Sequence, residues 1–214
     1  MNTNHQNIVI REDEKVVELP VMESFYTIQG EGFHTGTPAY FIRTGGCDVG
    51  CVWCDVKESW DESAHPLRPV KDLLTGAKNA GSEVVVITGG EPMMHDLDIL
   101  TRVLQDNHLK THVETSGTHP LSGIWDWICF SPKKFKKALK DYYRVSHELK
   151  VIVYHPSDLK WAEEHAARMH PGAQLYLQPE WSKKEVAMGW IIDYVKDNPQ
   201  WKISLQTHKY MDIP

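Results

Sequence analysis

Short runs rich in Val, Ile, Tyr and Thr recur along this chain, and longer amphipathic stretches separate them. Runs at 39–44, 83–88, 111–115, 125–130, 148–153, 174–178 and 202–205 have the length and β-branched content of strands. Most end in Gly, Ser or Pro. An earlier strand is expected within 15–27. Helices are expected at 70–79, entered behind Pro69, and at 97–107, where Leu97, Leu100, Val103 and Leu104 share a face. Two more are expected at 157–169, with Ser157 as its cap, and at 182–197, where Val186, Trp190, Tyr194 and Val195 form the apolar stripe. Strand–helix alternation of this kind predicts an α/β fold with a mostly parallel sheet. No repeat and no Pro-, Gly- or Ser-rich linker divides the 214 residues, so one domain spanning 1–214 is expected.

Parallel α/β sheets collect ligands beyond the C-terminal ends of their strands. The motifs of this chain fall there. After 39–44 comes Gly45-Gly46-Cys47-Asp48-Val49-Gly50-Cys51-Val52-Trp53-Cys54-Asp55, a Cys-x3-Cys-x2-Cys spacing set among glycines. A fourth cysteine, Cys129, stands alone and reads as a small buried hydrophobe. Three clustered thiols do not make a disulfide framework; thiolates so gathered suit zinc or an iron–sulfur cluster. Zinc in a structural role would need a fourth ligand, whereas a cluster held by three cysteines leaves one iron open. Spacing alone leaves both open. Further along, Thr88-Gly89-Gly90-Glu91-Pro92, Glu114-Thr115-Ser116-Gly117, Ser131-Pro132-Lys133 and Gln178-Pro179-Glu180 each follow a strand. Any one of them is an ordinary polar loop. Together they can ring one pocket.

Charge narrows the function classes. With 23 basic and 29 acidic residues the formal charge is −6, which lacks the basic footprint of a general nucleic-acid binder. No apolar run approaches the length of a bilayer span, and the first residues lack a secretory pattern. A cytoplasmic enzyme without nucleic-acid or membrane partners is expected.

Cys-x3-Cys-x2-Cys after one strand and Gly-Gly-Glu-Pro after the next resemble the radical S-adenosylmethionine superfamily. The match extends to Ser24-Phe25-Tyr26-Thr27-Ile28-Gln29-Gly30-Glu31-Gly32, Phe41-Ile42-Arg43, Cys54-Asp55, Glu114-Thr115-Ser116-Gly117 and the ending Leu205-Gln206-Thr207-His208-Lys209-Tyr210. These segments resemble the 7-carboxy-7-deazaguanine synthase family over nearly the whole chain.

The resemblance implies a partial (β/α) barrel and a lyase-type reaction. In it, 6-carboxy-5,6,7,8-tetrahydropterin is contracted to 7-carboxy-7-deazaguanine with loss of ammonia, a step toward queuosine and other 7-deazapurines. It implies a 4Fe–4S cluster on Cys47, Cys51 and Cys54, and S-adenosylmethionine as a radical source that is regenerated each cycle. Contacts to S-adenosylmethionine carry over to Trp53, Cys54, Asp55, Gly89, Gly90, Glu91, Thr115, Ser116, Ser131, Pro132, Lys133, Gln178, Pro179 and Glu180. Substrate contacts carry over to Ile28, Gln29, Gly30, Glu31, Arg43, Asp55, Thr88, His208 and the terminal Pro214. Gln and Glu can read the fixed donors of a pterin edge, and Arg43 can hold a carboxylate bidentately. A homodimer and an electron donor such as flavodoxin or ferredoxin are also implied.

One position departs from the family. Where a Thr or Ser hydroxyl commonly helps hold Mg2+, this chain has Val56. Mg2+ then relies on substrate carboxylate, backbone carbonyl and water, or the protein depends on it less. Two other functions share parts of the pattern: an activating enzyme for a glycyl-radical protein, and a zinc-stabilised module without catalysis.

Overall fold

A computed structural model describes residues 9–214; the reading of the first residues as lacking a secretory pattern falls mostly on residues outside these. Nine strands form one sheet in the order β3-β1-β2-β4-β5-β6-β7-β8-β9. They are β1 (Glu18–Ile28), β2 (Pro38–Thr44), β3 (Leu67–Pro69), β4 (Val84–Gly89), β5 (Lys110–Thr115), β6 (Trp127–Phe130), β7 (Glu148–Val153), β8 (Gln174–Pro179) and β9 (Trp201–Ile203). From β2 to β9 all neighbours are parallel; β1 runs antiparallel to both β2 and β3. The mostly parallel α/β expectation holds, with an antiparallel edge that strand–helix alternation did not foretell. Among the described residues no helix is long and apolar enough to cross a membrane.

Alternation along the strands separates two faces. Ile42, Val85, Ile87, Val113, Ile128, Phe130, Leu149, Val151, Val153 and Leu177 point into the main core. There they meet α1 (Val70–Asn79), α2 (Asp98–Asp106), α4 (Ser157–Ala166) and α5 (Lys184–Asp197). The opposite face starts apolar, with Phe41, Val84 and Val86, and turns polar along β5 and β7 with His112, Glu114, Glu148 and Lys150. The loop after β1 crosses this polar face. Gln29 donates to Glu114 at 2.9 Å, the Gly32 N–H to the Ser204 hydroxyl at 2.9 Å and the Phe33 N–H to Glu148 at 3.1 Å. The segment after β9 then closes on that loop, its Thr207 N–H donating to the Gly30 carbonyl at 2.9 Å. An open sheet is thereby curled around an interior space without pairing its last strand to its first.

The helix expectations hold with two corrections. Ser157 is the first helical residue of α4 and its side chain caps nothing; Asp158 instead accepts from the N–H groups of Tyr154 and His155 at 2.8 and 2.7 Å. In α5 the core-facing residues are Ala187 and Ile191, while Val186 is exposed. Trp190, Tyr194 and Val195 pack at its edge. A short helix before α5, Trp181–Lys183, takes the start of the expected element. Short structures at Lys57–Trp60, α3 (Tyr142–Val145) and α6 (Thr207–Met211) carry no periodic signal long enough to read in sequence.

Two buried histidines set an acid limit on this fold. Burial pushes His112, inside the curl, and His165, behind Tyr143, each down to about 4. An unfolded chain takes up these protons near 6.5, the folded one only near 4. Stability is therefore full above pH 6.5 and declines as pH falls toward 4, by up to about 1.4 kcal/mol per histidine per pH unit. Calorimetry across this window should show Tm falling; a Tm flat from pH 7 to 5 would contradict it.

Candidate active site

The interior space is a cavity of about 550 Å³, within the range of a site for a small ligand. Cys47, Cys51 and Cys54 line it, with Trp53 and Asp55, on the loop after β2. Burial raises the Cys47 thiol and pushes that of Cys51 up to about 11, so loading a metal there must release protons.

The loop after β4 is zipped onto the cysteine loop. The Gly90 N–H donates to the Thr44 carbonyl at 3.1 Å and the Glu91 N–H to that of Gly46 at 2.8 Å. A Cβ on Gly90 would stand 2.2 Å from the Gly46 oxygen and 2.8 Å from the Cys47 Cβ, so only glycine permits this approach. The Glu91 carboxylate is not free for a ligand. It accepts from the Thr115 hydroxyl at 2.5 Å, from the Ser116 and Met93 N–H groups at 2.8 and 3.1 Å, and from the Ser116 hydroxyl. Thr115 and Ser116 line the cavity, yet their hydroxyls serve to lock the β4 and β5 loops together. After β6, Ser131 and Lys133 reach the cavity, Lys133 donating to the Ser131 hydroxyl at 2.5 Å. Burial lowers the Lys133 ammonium from its usual range.

Three expected neighbours lie elsewhere. Pro132 faces a separate small pocket, and neither Pro179 nor Glu180 lines the cavity. Glu180 spends its carboxylate on the Ser182 and Lys183 N–H groups at the start of the following helices. Gln178 does line the cavity, its side-chain oxygen accepting from Ser204 at 2.6 Å.

The far wall is the loop after β1 and the C-terminal segment. Ile28, Gln29, Gly30, Glu31, Arg43, Thr88, His208 and Pro214 all line the cavity. Gly30 lies so close to His208 that a Cβ would stand 2.2 Å from its Nδ1. Arg43 is held by Glu23, its Nε donating at 2.7 Å. Thr27 donates to a Pro214 oxygen at 3.1 Å, placing Pro214 at the cavity rim.

The strand and loop motifs left one central group unread. Lys150, on β7, is 3% exposed and donates to Glu31 and, at 3.0 Å, to Glu114. Gln206 donates to the other Glu31 oxygen at 2.9 Å. Burial alone would raise the Glu31 carboxyl, but the Lys150 ammonium, with Gln206, takes it down to about 2. A sequence signal did exist: Glu148 and Lys150 put charges on alternate positions of a buried strand, and such charges must be paired. Asp55 is likewise claimed, its carboxyl lowered by Lys209 at 2.6 Å and by Gln206 at 3.4 Å. Cys129 is buried as expected, though it faces Glu148, at 3.6 Å, rather than the apolar core.

Residues 41–152, just over half the chain, match the radical SAM superfamily. This chain belongs to that superfamily, consistent with three thiols and a glycine loop packed at one end of a parallel sheet. It is 54% identical to a 7-carboxy-7-deazaguanine synthase of Flavobacterium psychrophilum, covering 94% of this chain and 95% of that protein. It is 47% identical to one from Synechocystis sp., covering 92% and 94%. The crystal structure of QueE from Escherichia coli matches with a TM-score of 0.81 at 32% identity, over 90% of this chain and 95% of that one. Within the superfamily, the chain belongs to the 7-carboxy-7-deazaguanine synthase family.

Proposed function

We propose that this protein contracts 6-carboxy-5,6,7,8-tetrahydropterin to 7-carboxy-7-deazaguanine with release of ammonia, working in the cytoplasm as one domain per chain and as a homodimer. One observation carries the assignment: a single cavity has three thiols and a glycine loop at one side and a paired carboxylate–amide wall at the other. Cys47, Cys51 and Cys54 would hold the 4Fe–4S cluster. Gly89, Gly90, Trp53, Ser131, Lys133 and Gln178 would hold S-adenosylmethionine. When bound, these groups supply a 5′-deoxyadenosyl radical through one-electron cleavage of the sulfonium.

The chain's own residues do the orienting. Glu31, ionised down to about pH 2, is a fixed acceptor for the N–H donors of a pterin edge. Gln29 and Glu114 continue that edge. Arg43, steadied by Glu23, offers its remaining guanidinium donors to the substrate carboxylate. His208, its ring kept neutral by burial, and Pro214, which accepts from Thr27, stand at the rim. Residues added directly after Pro214 would crowd this rim and are expected to cut turnover about tenfold or more, since small misplacements of positioning groups cost that much. The same addition at the N-terminus should leave turnover intact, and equal activity of the two forms would sink the idea.

The donor set does not fit a protein-held Mg2+. Val56 offers no side-chain oxygen, and the neighbouring Asp55 carboxylate is already matched by Lys209 and Gln206. Any Mg2+ here would rest on substrate oxygens and water. Turnover is expected to survive chelation of Mg2+ largely intact; a strict requirement for added Mg2+ would contradict this.

The test is an anaerobic assay with reconstituted protein, S-adenosylmethionine, reductant and 6-carboxytetrahydropterin, read by mass spectrometry. Formation of 7-carboxy-7-deazaguanine is the expected result. Turnover to 5′-deoxyadenosine alone would remove the pterin from the assignment. The relatives named above are synthases and lend no support to a glycyl-radical activating role or a zinc module.

A further inference from the structure

Ser204 directly follows β9, is 2% exposed and belongs to none of the strand-end motifs. Its N–H continues the sheet ladder to the Leu177 carbonyl at 2.9 Å, so the backbone sets where its hydroxyl stands. Two groups meet that hydroxyl. The Gly32 N–H donates to it at 2.9 Å, and it donates to the Gln178 side-chain oxygen at 2.6 Å. The direction of this chain is not free. A backbone N–H can only donate, so it takes an acceptor position on the Ser204 oxygen, and the single hydroxyl proton must find its own acceptor. Among the described residues the Gln178 oxygen is the one it reaches. Turning the Gln178 amide round would aim a second N–H donor at the same oxygen and leave a buried hydroxyl proton unpaired, which costs more than the bond contributes. The Gln178 oxygen is therefore committed to Ser204, and its NH2 group is left over. Gln178 is 2% exposed and lines the cavity, and its Nε2 has no partner among the described residues. Only His34 Nε2 and Ser146 Oγ are sealed in without a partner among those residues, so the Gln178 Nε2 opens on the cavity.

We propose that Ser204 is a positioning residue that makes Gln178 a donor-only group, so that the cavity wall at the end of β8 selects a ligand atom able to accept: a carbonyl or carboxylate oxygen, or an unprotonated ring nitrogen. The inference rests on the function proposed above, in which Gln178 meets S-adenosylmethionine. Adenine ring nitrogens and the methionine carboxylate are acceptors of this kind. The pterin carries them too, on its carbonyl and carboxylate, but the register favours the former ligand. Gln178 pairs with Ile152, two residues nearer the C-terminal ends of the strands than Lys150, and that is the end where the cysteine loop and Lys133 stand. A donor-only wall discriminates strongly, because a ligand that presents a donor there leaves two buried donors facing each other. The same serine holds the Gly32 N–H of the loop that carries Gln29 and Glu31. Its hydroxyl thus fixes the polarity of one wall of the cavity from the backbone of another.

The test reads equilibrium binding, not turnover. Affinities for S-adenosylmethionine and, separately, for 6-carboxytetrahydropterin are measured by anaerobic calorimetry on the cluster-loaded protein without reductant. The unaltered chain is compared with Gln178→Glu, Gln178→Met, Ser204→Ala and the Ser204→Ala/Gln178→Met double variant. Gln178→Glu keeps an acceptor for Ser204 and turns the cavity-facing donor into an acceptor. It is expected to weaken S-adenosylmethionine about a hundredfold and to change the pterin little. Ser204→Ala lets the amide turn and should cost about tenfold for the same ligand. In the Gln178→Met background the Ser204→Ala change should cost nothing further, because Ser204 acts through the amide. Full affinity for both ligands in Gln178→Glu would overturn the proposal. So would an equal Ser204→Ala loss in the Gln178→Met background, which would place the effect on the Gly32 loop. A loss confined to the pterin would assign the acceptor to the substrate and leave the role of Ser204 standing. Should Ser204→Ala fail to fold by circular dichroism, Gln178→Glu, which retains the Ser204 bond, decides. If the unaltered protein binds both ligands yet makes no 7-carboxy-7-deazaguanine with reductant, the proposed function fails, and the binding cycle still decides Ser204.

Discussion

Replacing Lys150 by Met is expected to abolish turnover and to cost about 3–5 kcal/mol of stability, the range for breaking a buried ion pair from one side. The reason is stoichiometric. One ammonium, 3% exposed, faces Glu31 and Glu114 directly, and Glu148 lies near enough to act on it through space. Without it the two carboxylates keep hydrogen bonds from Gln29 and Gln206 but lose the ammonium that lies directly between them. Glu31 then loses the interaction that holds its carboxyl near 2 and takes up a proton at higher pH. A protonated Glu31 presents a donor where the substrate edge needs an acceptor. Lys150→Arg keeps the charge and should restore most of the stability but less of the turnover, because a planar fork does not fit a space shaped for an ammonium. Denaturant titration separates the two effects. An active, fully stable Lys150→Met protein would show that the network is dispensable.

Replacing Gly90 by Ala is expected to be nearly as damaging to activity while leaving the fold standing. The new methyl would stand 2.2 Å from the Gly46 oxygen and 2.8 Å from the Cys47 Cβ. Backbone cannot yield at that distance without moving one loop off the other. The hydrogen bonds from the Gly90 and Glu91 N–H groups to the Thr44 and Gly46 carbonyls would go with it. Overpacking of this kind costs about 1–3 kcal/mol, and the displacement falls on the residues that present Cys47. Iron content after reconstitution should drop sharply and turnover by about a hundredfold, with the far-UV circular dichroism preserved. Gly189→Ala in α5, where a Cβ meets nothing within 4 Å, is the matched control and should be silent or slightly stabilising. Normal iron loading in the Gly90→Ala protein would mean that the two loops move independently.

Both substitutions bear on how far function could be read from residues alone. Gly90 belongs to a motif, and its neighbours in sequence announce it. Lys150 belongs to none; it emerges as central because β5, β7 and two loops far apart in sequence bring their charges together. The same contrast holds for Glu91. Its place after a strand was legible, but its carboxylate turns to Thr115 and Ser116 rather than to a ligand, and that depends on how the β4 and β5 loops meet. Pro179 and Glu180 followed the strand-end rule yet miss the cavity, because β8 runs through Pro179 and Glu180 is drawn off to cap a helix.

Local chemistry in the sequence was sufficient for the parallel sheet, most strand and helix positions, the three thiols and the loops that follow each strand. Periodicity, turn residues and ligand spacing are short-range properties, and they survive without knowledge of the fold. The antiparallel β1, the loop that crosses the polar face, the closure by the segment after β9 and the Lys150 network are long-range. Each exists because buried charges and backbone groups must find partners, and partners separated by more than a hundred residues, as Glu31 and Lys150 are, meet only once the sheet has curled.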